Sequence, residues 1–162
     1  MIFTLPIKRW LLIFLSFFVG LLLMFLQLPT GLHWVSPLWL VLIVLYWVFM
    51  MPQYVNVGVA WVFGIIIDAI YNVTLGTHAL GLVLVAILMI KIREKILSLG
   101  LVKVTPVVFG LLVLYQTLIF LMQSYGGSYF SVWSILGGAV VGAIWWLLLT
   151  LLLFNLQRKF RI

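Results

Sequence analysis

No charged residue stands between Arg9 and Asp68, between Asp68 and Lys91, or between Lys103 and Arg158. A soluble domain draws its surface from about 25% charged residues, so stretches of this kind cannot be wrapped in water. Over the 162 residues, 7% are charged and 67% hydrophobic, and the mean hydropathy is +1.40. A hydrocarbon layer about 30 Å thick is crossed by about 20 apolar residues in a helix, which satisfies its own backbone amides. The chain therefore reads as an all-α, polytopic membrane bundle forming a single transmembrane domain over residues 1–162.

Cutting the apolar runs at proline, glycine and charge gives six helices. The first spans roughly Trp10 to Leu28 and ends at Pro29-Thr30-Gly31. It is too long for a signal-peptide core and lacks a small-residue cleavage site, so it reads as a membrane helix. Ser36-Pro37 resembles an N-cap with proline at the first helical position, opening a second helix that Pro52 stops. A third runs from about Tyr54 to Asn72, and a fourth from a Thr77 cap to Lys91–Lys95. The fifth opens at Thr105-Pro106, which repeats the cap-plus-proline pattern, and ends near Gln123, and the sixth covers about Val132 to Leu156. The second helix is short, at about 15 residues or about 22 Å, and helices two and three could instead form a re-entrant hairpin.

Either arrangement keeps an even number of crossings. Cytoplasmic ends of membrane helices collect Lys and Arg. With the N-terminus inside, all nine Lys and Arg residues fall on that side, and the three outer segments carry no charge. Both termini are thus expected in the cytoplasm. Short connections make sequential helices expected neighbours.

The same counts narrow function. There is no cysteine, hence no disulfide and no thiolate ligand or nucleophile. Two acids and two separated histidines, His33 and His78, make neither a metal set nor an acid/base pair or triad. The cations sit in short clusters rather than along a helix face, so topology accounts for them and nucleic acid does not. The chain reads as a non-enzyme with no cofactor, no metal site and no catalytic residue.

Asp68 is the acid buried in an apolar run, where an ionised carboxylate needs protein, water or a partner beside it. It belongs to a series, Asn56, Ala60, Gly64, Asp68 and Asn72, that recurs every four residues and forms a small-and-polar stripe winding slowly around helix three. Small residues admit a second backbone and polar ones bond across the contact. Asp68 is thus either an internal tether or a partner contact. A proton relay lacks a second membrane acid to accept the proton. After Asn72, Gly76 suits a positive φ in a turn and Gly81 suits close packing.

These residues resemble the MreD family of rod-shape-determining proteins. The resemblance rests on Gly64 four before Asp68, the Leu75-Gly76 that follows, and the small-residue start of the fourth helix. Further matches in order are Ser36-Pro37-x-Trp39, Leu45-Tyr46-Trp47, Pro52 with Val55-Asn56-Val57-Gly58, and the basic C-terminal tail. The resemblance implies a bacterial inner-membrane protein that works with MreC, MreB filaments and a RodA-type polymerase with its transpeptidase in lateral peptidoglycan synthesis. It also implies a fold like that of the substrate-capturing membrane components of energy-coupling-factor transporters.

Other features carry alternatives. Gly138 and Gly142 form a small-xxx-small motif for a sibling helix or a partner's. Gln116 and Gln123, one heptad apart, can line a polar seam. Lys91, Arg93, Lys95 and Lys103 either set orientation alone or also touch membrane lipids or a filament. A second class of function, a small-molecule-binding component of a transporter, needs a polar pocket in the outer half built from Asp68, Asn72, Gln116 or Gln123.

Overall fold

The computed structural model describes residues 4–25, 38–100, 103–124 and 132–159. Its elements are α1 (Thr4–Phe25), α2 (Trp39–Met50), α3 (Val57–Tyr71), α4 (Thr77–Ile96), a 3-10 turn over Leu97–Leu99, α5 (Thr105–Ser124) and α6 (Val132–Lys159). Every regular element among the described residues is a helix, and the whole is a helical membrane bundle. Within α1, α5 and α6, Ile7–Met24, Thr105–Ser124 and Ile135–Arg158 are long and apolar enough to cross a bilayer.

The boundaries shift from the sequence reading in instructive ways. The first helix begins at Thr4, so Lys8 and Arg9 are helical, and Pro6 lies in the first turn where its missing N–H goes unneeded. The fourth helix is capped by Gly76 rather than Thr77, whose hydroxyl donates back to the Thr74 carbonyl at 2.8 Å. Thr105 is the first residue of α5, and its buried hydroxyl has no partner among the described residues, so it is not the cap its sequence suggests. The sixth helix continues to Lys159. The second begins at Trp39, with Leu38 as N-cap; Ser36, Pro37 and His33 lie outside the described residues.

At 12 residues α2 is only about 18 Å long, yet it is the centre of the molecule. Ten of its residues, Leu40 to Phe49, are buried, because α1, α4 and α6 surround it and α3 touches it lightly. Sequential helices are neighbours at four of the five connections, as the short links lead one to expect; the departure is α2, which meets α3 slightly and α4 extensively. A helix apolar all round belongs inside a bundle, and its short length is shielded from lipid by the longer helices.

The helices alternate in direction, so like ends gather. Arg93 near the end of α4 donates from Nε to the Phe49 carbonyl at the end of α2 (2.6 Å). The starts of α1 and α5 and the end of α6 share that end, which collects the described basic residues. At the opposite end the last turn of α3, the first turns of α2 and α4, and the C-terminal half of α5 converge around His78 and Tyr115.

Candidate functional site

The site is built on the α3–α4 turn. Asn56 opens α3: its Oδ1 accepts from the Gly58 and Val59 amides at 3.0 and 3.4 Å. Asn72 closes it in the left-handed region, with φ +51°, a conformation that asparagine tolerates better than most residues. Gly76 follows at φ +104°, which a residue with a Cβ would find strained. The chain thus reverses within a few residues and lays α4 against α3.

Contact between the two helices is backbone-close. A Cβ at Gly64 would strike the Ala79 backbone. This approach aims the Asp68 side chain at the first turn of α4. Its Oδ2 accepts from the Gly76 amide at 2.8 Å and the Ala79 amide at 3.4 Å, and its Oδ1 accepts from the His78 amide at 2.7 Å. The α4 N-cap is a glycine, which has no side-chain oxygen to offer. Asp68 supplies that oxygen from the neighbouring helix, where three N–H donors and the positive end of the helix dipole compensate its charge.

The His78 ring completes the arrangement, its Nδ1 standing 2.8 Å from Asp68 Oδ1. A carboxylate only accepts, so Nδ1 carries the hydrogen and the bond fixes the ring. Asp68 is fully buried. His78 lies between Tyr71 and Tyr115, with ring centroids 5.5 and 6.3 Å away.

The stripe read along helix three therefore divides by task. Asn56 and Asn72 end the helix rather than pack it, Ala60 is buried in the core, Gly64 gives the close approach, and Asp68 clamps α4. Gly138 and Gly142 face α5: a Cβ at Gly138 would meet the Gln116 amide, and one at Gly142 would meet Leu112. Gln116 borders a cavity with His78 and Tyr115, and Gln123 is not among its lining residues. Of the basic candidates, Lys91, Lys95 and Lys103 are exposed, whereas Arg93 is bonded to the Phe49 carbonyl.

The roles of three residues are not legible in the sequence. His78 was separated from its carboxylate by ten positions, with only the Gly76 turn to hint at the reunion. Tyr115, 1% exposed, looked like any aromatic in an apolar run. Arg93 looked like an orientation signal, though a cation at a helix C-terminus is a familiar cap. Among the described residues no group of three His, Cys, Asp or Glu side chains gathers to hold a metal.

Comparison with known proteins adds a family and one relative. The family model described as rod shape-determining protein MreD matches residues 5–159. The Rod shape-determining protein MreD of Haemophilus influenzae is 30% identical over 158 residues, covering 96% of each chain. No solved structure matches this chain.

Proposed function

Because the chain belongs to the MreD family of rod shape-determining proteins, we propose that it is a non-enzymatic scaffold of the bacterial cell-elongation machinery, multi-pass in the inner membrane with both termini cytoplasmic. The observation that carries this reading is the family match along almost the entire chain. The bundle's form supports it: α1, α5 and α6 bury only 22% of their apolar spans within the molecule, leaving broad helix faces for lipid or for the membrane helices of partners.

In this reading an MreC-like protein docks through those faces. MreB filaments and a RodA-type polymerase with its transpeptidase belong to the same assembly. The exposed Lys91, Lys95 and Lys103 face the cytoplasm, beside anionic headgroups. Asp68 acts in this role as a tether that keeps the α3–α4 hairpin rigid.

Depletion in a rod-shaped host, combined with affinity capture of membrane partners, tests the proposal. Cells should round, and an MreC-like protein should be recovered with the tagged chain. Normal rods after depletion would overturn it. Sidedness is tested separately with single cysteines: Thr74→Cys should label from outside and Lys95→Cys from the cytoplasm. The reverse pattern would overturn the orientation.

A further inference from the structure

The first turn of a helix presents N–H groups without intrahelical partners. In α2 that turn is buried: Leu40 and Val41 are each 2% exposed, and the N-cap, Leu38, has an apolar side chain that cannot accept from them. Leu38, Trp39, Leu40 and Val41 line a cavity of about 30 Å³ together with His78 and Tyr115. A second cavity of about 140 Å³ shares Leu38, His78 and Tyr115 as walls and adds Gln116, Ile119 and Ile135.

Two side chains on these walls hold polar atoms without partners among the described residues. One is the Tyr115 hydroxyl, on a residue 1% exposed, and the other is the Gln116 amide nitrogen. Leaving such a group unmatched in a buried setting is destabilising. All of these are donors or can donate: helix amides, a phenolic O–H and a carboxamide N–H. The first turn of α2 borders the smaller cavity and Gln116 the larger, while Tyr115 stands in the wall of both, so donors on two adjoining spaces fit an acceptor-rich guest. A helix N-terminus adds a preference for negative charge. Asp68 does not oppose that charge unscreened, since the α4 amides and the His78 ring already answer it.

We propose that the paired cavities at His78 and Tyr115 bind an acidic head group, a carboxylate or phosphate, seated on the first turn of α2 and held by Tyr115 and Gln116. The apolar walls at Ile119 and Ile135 accept the first carbons attached to that head. The chemistry suits an anionic lipid and a soluble anion alike. This inference stands apart from the cell-shape reading, because it is read on the isolated protein.

Thermal unfolding of the full chain tests it. The protein is purified in uncharged detergent and titrated with inorganic phosphate, then placed in nanodiscs of phosphatidylcholine alone or mixed equally with phosphatidylglycerol. The wild type should be stabilised by at least one anion. A rise with phosphate identifies a soluble-anion site, and a rise with phosphatidylglycerol alone identifies a lipid head-group site. Tyr115→Phe keeps the ring and removes the hydroxyl, and should bind about tenfold more weakly, the loss of one hydrogen bond to a charged group. Gln116→Leu gives the same readout should that variant fail to fold. Lys95→Gln, at the opposite end of the bundle, should leave the response unchanged. The proposal is overturned if neither anion stabilises the wild type, if Tyr115→Phe and Gln116→Leu respond as the wild type does, or if the response vanishes in Lys95→Gln.

Discussion

The α3–α4 hairpin and the α1–α2 pair are both helix contacts inside the same bundle, and they are built on different principles. Gly64 brings α3 onto the Ala79 backbone, and Asp68 then ties three amides and a histidine ring of α4. Helix α1 leans on α2 through apolar side chains and one side-chain bond, from Trp47 Nε1 to Ser16 Oγ at 2.8 Å. Its glycine, Gly20, faces the tip of the Ile43 side chain rather than a backbone. Apolar grooves flank it, of about 290 Å³ towards α6 and about 370 Å³ towards α3, the second bridged by the stacked rings of Phe17 and Phe63. Lipid tails are as apolar as leucine, so apolar contact alone holds a helix weakly against solvation by the bilayer. The hairpin is locked by backbone fit and charge-assisted bonds, while α1 can be exchanged for lipid over much of its surface.

Substitutions can break this contrast in graded steps. The largest effect is expected for Asp68→Ala, which strands the His78 ring and three amide donors. Loss of one partner from a buried charged network costs about 3–5 kcal/mol, read as a drop in stability in detergent. Asp68→Asn should cost about half as much, since it keeps an acceptor oxygen but turns an N–H group towards the α4 amides. Gly64→Ala comes next, at about 1–3 kcal/mol for overpacking, because the opposing atoms are backbone and cannot rotate away. Ser16→Ala, which removes the acceptor of the Trp47 bond and leaves the indole in place, should cost about 0.6 kcal/mol, the average for a bond between membrane helices. Gly20→Ala should be smallest, since the Ile43 tip can change rotamer. Equal effects at Gly64 and Gly20 would erase the distinction between the two contacts.

The sequence displayed the scaffold of this contrast more clearly than its mechanism. Helix number and order were legible because uncharged runs in lipid have few alternatives, and the turn was legible because Gly76 suits a positive φ. Gly64 and Asp68 stood out as a small residue and an acid where apolar bulk is the rule. Direction was harder to see. Whether the stripe faced a sibling or a partner depends on how α3 is rotated, and a four-residue repeat drifts around the helix. The central place of α2 was hidden as well, because a short run can be short in span or merely shielded by its neighbours, and local pattern does not separate the two. Asp68 as the cap of another helix required knowing that Gly76 leaves α4 without one. The bond made by Arg93 was invisible for a similar reason: its acceptor, the Phe49 carbonyl, lies 44 positions away and is a backbone atom that any sequence would carry.

Amide hydrogen exchange at Gly76, His78 and Ala79 tests the clamp most directly, comparing the wild type with Asp68→Asn in the same detergent. Strong protection at these three amides in the wild type, lost in the variant while mid-helix amides of α4 keep theirs, is the expected result. Rapid exchange at these amides in the wild type, or protection that survives the substitution, would show that Asp68 does not hold the first turn of α4.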